Sequence, residues 1–273
     1  MKHDMDCAPF ELFAIRYGKH RGRSVHENYL SSPDLHDAAS DLDYYVWLAR
    51  REDEIYLIDT GFDEITAHVR GRELLCPIDE GISLLGVNAK DIKNVILTHL
   101  HYDHAGTIKD FPNAKFHIQE TEVNYATGRY MLHKHLRGAF ELDNVLDIIR
   151  TVYDERVVFY RGDATLTSGL SVHLIGGHTA GLQVVRVWTK RGWVVIASDA
   201  THLYGNIDCG VPFPILFNVG ELLAGYDKVR GLADSSSHII PGHDPLVMNR
   251  YPAYSRKAIG KIVRLDREPS RNN

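Results

Sequence analysis

The feature that most constrains this chain is the run His99-Leu100-His101-Tyr102-Asp103-His104, which follows directly on the short apolar segment 93–98. A short apolar run bounded by polar residues reads as a buried strand, so the histidines stand where that strand ends and the chain must bend. In extended backbone, residues two apart share a face, so His99 and His101 can grip one cation. Asp103 and His104, past the bend, can point at a second. The bland alternative, a histidine-rich surface loop, fits His133-Lys134-His135, whose charged neighbours place it on a solvated helix face.

Further ligand-type residues stand at predicted strand ends among small residues. They are His178 in Gly176-Gly177-His178-Thr179-Ala180-Gly181 and His243 in Pro241-Gly242-His243-Asp244, where glycine lets backbone approach a site closely. Asp199 follows the apolar segment 193–198, where an unpaired carboxylate would be costly unless it met a cation, so it reads as a bridging ligand. Strands are predicted at 12–17, 44–49, 55–58, 93–98, 115–118, 171–175, 182–188, 193–198 and 239–240, the second and third joined by a charged hairpin turn. Helical patterns cover 78–85, 120–126 and onward with interruptions towards 150, 219–232, and a last helix from about 254 to 265. Strands in two clusters, each flanked by helices, predict sheets packed together under an outer layer of helices, an α/β architecture. No internal repeat or low-complexity linker divides the chain, and a single domain over 1–273 is expected.

Composition narrows the function. The 273 residues carry a net charge of −5 with a pI near 6.3, which gives no positive field for a nucleic-acid partner. No run approaches the ~18 apolar residues that cross a bilayer, and the start of the chain has charged residues without an apolar stretch behind them, so no membrane partner is expected and the location reads as cytoplasmic. Three cysteines at unrelated spacings, Cys7, Cys76 and Cys209, argue against a disulfide framework.

Five pieces in order resemble the metallo-β-lactamase-fold hydrolases: Asp59-Thr60-Gly61, the run 99–104, Gly177-His178-Thr179, Asp199 and Gly242-His243. The resemblance implies a four-layer αββα sandwich with metals at one edge. It implies one zinc on His99, His101 and His178, a second on Asp103, His104 and His243, Asp199 bridging both, and Asp59 orienting the ligand loop. Nitrogen and oxygen ligands suit two Zn²⁺, although the same set would hold iron, cobalt or manganese. Two such cations lower the pKa of a bridging water from ~15.7 towards ~7, which implies hydrolysis by a metal-bridging hydroxide without a nucleophilic side chain.

Within that superfamily the stretches 98–106 and 177–183 and the pair Asp199-Ala200 look most like N-acyl homoserine lactonases and related small-lactone hydrolases. That likeness implies a lactone substrate, quorum quenching, and Asp103 as both metal ligand and proton donor to the departing alkoxide. His202 stands where those lactonases commonly carry a tyrosine that touches the substrate carbonyl, which gives it a catalytic and substrate-binding role; the bland reading is a pocket wall. Tyr102, His202 and Tyr204, with the apolar loop 211–217, are expected to line the entrance. That loop also reads as core packing or as the contact of a homodimer. No cationic clamp is expected near the motifs, which suits a neutral or weakly charged carbonyl compound. The alternative is a thioester hydrolase of the glyoxalase II type. Its basic C-terminal site is not apparent here, because Arg250, Arg256, Lys257, Lys261 and Arg264 read as the exposed face of the final helix.

Overall fold

A computed structural model describes residues 7–31 and 41–270, so the charged residues 1–6 at the start lie outside it. One sheet is built from β1 (Glu11–His20), β2 (Leu42–Arg51), β3 (Glu54–Ile58), β4 (Glu73–Leu74), β5 (Asn94–Ile96), β6 (Lys115–Gln119), β7 (Val157–Tyr160) and the returning β13 (Ile262–Arg264). Its order is β13-β1-β2-β3-β5-β6-β7, with β4 paired to β1. The second sheet contains β8 (Ala164–Thr167), β9 (Leu170–Leu174), β10 (Gln183–Thr189), β11 (Gly192–Ser198) and β12 (Ile239–Pro241), in the order β12-β11-β10-β9-β8.

Strand alternation explains the layering. Along β2, Tyr45, Trp47 and Ala49 face the second sheet and pack with Val185, Val187, Val194 and Ile196. Tyr44, Val46 and Leu48 point the other way, into a cluster with Ile82, Leu85 and Ile92. Both faces are buried, so the strand reads as a continuous apolar run. On the outer face of the second sheet, Val184, Val195 and Ala197 bury Leu222, Tyr226 and Val229 of the helix Val219–Leu232. The result is helix, sheet, sheet, helix, as the sequence predicts.

Two parallel arrangements position the site. β3, β5 and β6 run parallel, with Ile58 opposite Ile96 and Ile96 opposite His117, so their carboxyl ends deliver Asp59 and residues 97–104 together. In the second sheet, β11 and β12 are parallel and pair Ser198 with Pro241, which brings Asp199 and His243 out side by side. Open α/β sheets bind ligands beyond such strand ends.

The C-terminal segment departs from expectation. In place of a helix over 254–265 there is a short 3-10 turn, Arg256–Ala258, followed by β13 antiparallel to β1. Gly260 at φ 72° breaks the segment, and Ile262 and Val263 enter opposite core clusters, a period of two rather than 3.6. The basic residues there are accordingly not one helix face: Arg264 pairs with Glu11 and Asp266, and Arg250 lies over the Tyr204 ring. The helix Glu64–Arg70 and the strands β7 and β8 were not expected from the sequence pattern. None of the described helices is long and apolar enough to cross a membrane.

Candidate metal centre

The ligand loop is held from both sheets. Asp59, in the left-handed region at φ 62°, accepts from the Thr98 amide at 2.7 Å, the Thr98 hydroxyl at 2.8 Å and the His104 Nδ1–H at 2.8 Å. A non-glycine residue there costs on the order of 1–3 kcal/mol, which those bonds offset. Thr98 Oγ1 also meets Ser198 Oγ of the second sheet at 2.9 Å. Glu122 ties the two motif loops together. Its carboxylate accepts from the Leu100 amide at 2.9 Å, the Thr179 hydroxyl at 2.6 Å and the Gly181 amide at 3.0 Å. Gly242 leaves room for the bridging carboxylate, since a Cβ there would lie 2.6 Å from Asp199 Oδ1.

Hydrogen bonds fix which imidazole nitrogen faces inward. The Nδ1–H groups of His104, His178 and His243 donate to Asp59 Oδ2, the Ile215 carbonyl at 2.7 Å and the Asp43 carbonyl at 3.1 Å. The Thr98 hydroxyl gives its proton to Asp59 and so accepts from His99 Nδ1–H at 3.1 Å. Each of these rings therefore presents an Nε2 lone pair, the usual way a partner orients a metal-binding histidine. The inward atoms form two groups, His99, His101, His178 and Asp199 in one and Asp103, His104 and His243 in the other, and a third, Asp199, His202 and His243, overlaps both. Asp199 reaches both, with Oδ2 3.2 Å from His178 Nε2 and Oδ1 2.9 Å from His243 Nε2. The structure thus brings together every residue expected to bind metal.

These residues fit a cation. His99 Nε2 lies 3.1 Å from His101 Nδ1 and 3.2 Å from His178 Nε2. Nitrogen lone pairs so close repel unless a cation or proton stands between them, and tetrahedral Zn–N bonds of about 2.0–2.1 Å set ligand nitrogens at about that spacing. His104 Nε2 and Asp199 Oδ1 are buried without a hydrogen-bond partner. Burial holds His99 and His101 well below the usual imidazole range, as neutral ligands must be. At His104 burial also acts downward, but Asp199, Asp103 and Asp59 outweigh it and raise its pKa, the negative surroundings that a cation on Nε2 would meet. Burial opposes ionisation of Asp103 and Asp199, and the surrounding imidazoles nonetheless hold both carboxyls low.

Above this floor lies a cavity of ≈ 290 Å³ whose walls include Tyr44, Tyr102, Asp103, His202 and Ile215. Tyr102 and His202 stand where the sequence places them; Tyr204 does not. Its ring packs in the core between the sheets, beneath the Arg250 guanidinium, and borders a separate hollow. His202 stacks flat on Phe213, ring centroids 3.3 Å apart, and its Nε2 lies 3.0 Å from Asp199 Oδ2. A carboxylate only accepts, so the ring's proton is on Nε2. Burial pushes its pKa down to about 3, and the neutral ring then has no second N–H for a substrate carbonyl. Of the loop 211–217, Ile215 lines the cavity, whereas Phe213 is core and Phe217 packs on Tyr125 and Tyr130. The expectation of no cationic clamp is overturned: Arg23, Arg70 and Arg72 line the mouth, with exposed His135 at its rim. No motif announces these arginines, because they lie 27 or more residues before His99 and meet it only through the fold.

Residues 40–266 match the metallo-beta-lactamase superfamily. The chain belongs to that family. It is a hydrolase of the metallo-β-lactamase fold, most like its N-acyl homoserine lactonases. Among relatives, a probable metallo-hydrolase of Mycobacterium tuberculosis, Rv2300c, is 27% identical over 74% of this chain and 71% of its own. The N-acyl homoserine lactonase AttM of Azorhizobium caulinodans is 28% identical over 65% of this chain and 68% of its own. The fold is shared with an N-acyl homoserine lactone hydrolase whose structure has the product N-hexanoyl-L-homoserine bound at the catalytic metal centre. Its TM-score is 0.72 at 21% identity, covering 89% of this chain and 96% of that one.

Proposed function

We propose that this metallo-β-lactamase-fold hydrolase binds two zinc ions and opens the ring ester of a small lactone, an N-acyl homoserine lactone or a relative of one. The observation that carries the reading is the pairing of two donor groups sharing Asp199 with a cavity of only ≈ 290 Å³ directly above them. That volume lies at the bottom of the range for small-molecule sites and accommodates a five-membered ring with short substituents. Such cations, when bound, supply Lewis acidity to a carbonyl and lower the pKa of water towards ~7. His99, His101, His178 and Asp199 would hold one ion, and Asp103, His104, His243 and Asp199 the other.

The chain's own groups complete the chemistry. A lactone ring presents its ester in fixed geometry, so little torsional freedom is lost on binding. Tyr44 and Tyr102 pair through their hydroxyls at 3.1 Å, and the pair has one more O–H than that bond uses, available to a ligand. Asp103 Oδ2 faces the His104 and His243 imidazoles at 3.5 and 3.6 Å. No described residue hydrogen-bonds its Oδ1, the atom that would carry a proton to the leaving oxygen. His202 holds Asp199 in place rather than touching the carbonyl.

The test is kcat/KM for purified protein on a set of lactones, S-lactoylglutathione and a phosphodiester. Lactones turned over fastest are expected; S-lactoylglutathione ahead of every lactone overturns the reading in favour of a thioesterase.

A further inference from the structure

The mouth of the cavity carries positive charge that the described residues do not fully pair. Of its arginines, Arg70 is accounted for: it pairs with Glu141 at 2.6 Å, donates to the Gly138 carbonyl and rests 4.0 Å from the Tyr102 ring centre. Arg72 is different. It donates from Nε to Tyr102 Oη at 3.0 Å and from Nη1 to the Arg70 carbonyl at 2.7 Å, and no carboxylate among the described residues lies within ion-pair distance of it. Its Nη2 has no hydrogen-bond partner among the described residues. Among the described residues, buried Arg23 has one carboxylate within ion-pair distance, Glu27, whose Oε1 lies 3.9 Å from Nη1 while its Oε2 accepts from the Ser24 amide and hydroxyl.

A single imidazole separates the two guanidinium groups. His20 Nδ1 is 3.3 Å from Arg23 Nη1, and His20 Nε2 is 3.0 Å from Arg72 Nη1. A neutral imidazole accepts at one nitrogen only, so at the other an N–H faces an N–H. Burial and the two arginines push the His20 pKa down to about 4, so the ring is neutral and adds no negative charge to offset them. Arg23 donates from Nε to Asn28 Oδ1 and from Nη2 to the Glu27 carbonyl, so it contributes charge, while the open Nη2 of Arg72 supplies the donor that a carboxylate oxygen accepts.

We propose that Arg72 and Arg23 form a carboxylate-recognition subsite, so that the lactone opened at the metal centre carries an acidic substituent. The proposal rests on the lactonase reading and adds the substrate's charge to it. Arg72 bonds the Tyr102 phenol rather than a ligand atom, so the charge it reads sits away from the carbonyl under attack. That distinguishes the arrangement from a phosphodiesterase, whose substrate anion is the reacting centre itself.

The experiment compares 5-oxotetrahydrofuran-2-carboxylate with its methyl ester, near-equal in size and differing in charge. Water adds across the ring ester of the first to give 2-hydroxyglutarate. The wild-type protein is expected to favour the carboxylate at least tenfold in kcat/KM, mainly through KM. Arg72→Gln should lower kcat/KM for the carboxylate at least tenfold more than for the ester, and Arg72→Lys, which keeps charge without the fork, should fall between. A wild-type ratio of one or less, or equal loss on both substrates, overturns the proposal while leaving the lactonase reading intact. If neither lactone is hydrolysed, the lactonase reading fails, and calorimetric titration with 2-hydroxyglutarate decides the subsite separately. Binding at least tenfold tighter to wild type than to Arg72→Gln supports it, and equal binding overturns it. Thermal melts of each variant establish that a loss is not one of folding.

Discussion

The floor and the mouth of the cavity are built on opposite plans. The floor comes from strand ends: four of its ligands lie within residues 99–104, and the others follow β9, β11 and β12 at fixed, closely packed positions. Hydrogen bonds to Asp59, Thr98, Ile215 and Asp43 leave those imidazoles one orientation. The mouth is assembled from separate segments, with Arg23, Arg72, Tyr102 and His135 brought together by long contacts, and Arg72 has no carboxylate partner among the described residues. The contrast teaches that the strand ends fix the reaction class, whereas the connecting segments fix which molecule undergoes it. The two can therefore change independently.

Damage to the floor should be severe. His101→Ala is expected to lose bound metal and reduce kcat/KM on the order of 10³-fold, because a missing ligand disturbs both the ion and the water it activates. Elemental analysis of wild-type protein should give about two ions per chain. One tightly held ion with full activity would collapse the contrast, since half the floor would then be structural. Asp103→Asn should cost on the order of 10²–10⁴-fold if Asp103 delivers the proton. Near wild-type turnover with both metals present would remove it from that role.

One shell outward, Asp59→Asn and Glu122→Gln should reduce activity or metal affinity by roughly 10–100-fold, the usual price of loosening groups that orient ligands. Metal content measured beside kcat separates the two effects. Tyr204→Phe should change kcat/KM by less than about twofold on any lactone. A larger, substrate-dependent change would extend the mouth to a residue that packs in the core.

The smallest effect lies outside floor and mouth. Burial pushes the His117 pKa down to about 4 on β6. Unfolded chain takes up a proton near pH ~6.5 that folded chain refuses until about pH 4, so stability is intact above ~6.5 and declines as pH falls towards 4. Each proton so linked contributes at most about 1.4 kcal/mol per pH unit. Urea unfolding at pH 7 and pH 5 should show a smaller decline for His117→Asn than for wild type; equal declines would assign the acid sensitivity to other groups.

The sequence exposed the floor because its chemistry is contiguous: ligand side chains packed into six residues directly after an apolar strand fit a cation far better than they fit water or a core. Asp199 and His243 were legible for the same reason, each following a short apolar strand. Glu122 carried no such signal, since a glutamate in the first turn of a helix usually faces water, and only the fold reveals its buried bonds to two loops. Arg72 and Arg23 left no mark because spacing in sequence says nothing about cations that converge from different segments. The expected final helix fell to Gly260 and the β-branched pair Ile262 and Val263, whose alternation outweighed the spacing of basic residues. Tyr204 illustrates the remaining error, as nearness in sequence to Asp199 does not specify which side of a turn a ring takes.

The first sheet's strand β7 ends at Tyr160, and the second sheet begins with β8 at Ala164. Asp103 and His104 precede that boundary while His243 follows it, and His99 and His101 precede it while His178 and Asp199 follow. Neither half of the polypeptide holds a complete donor group. A chain cut anywhere before residue 243 therefore lacks a ligand of the second donor group. Occupation of both donor groups requires that the two halves of the chain have met.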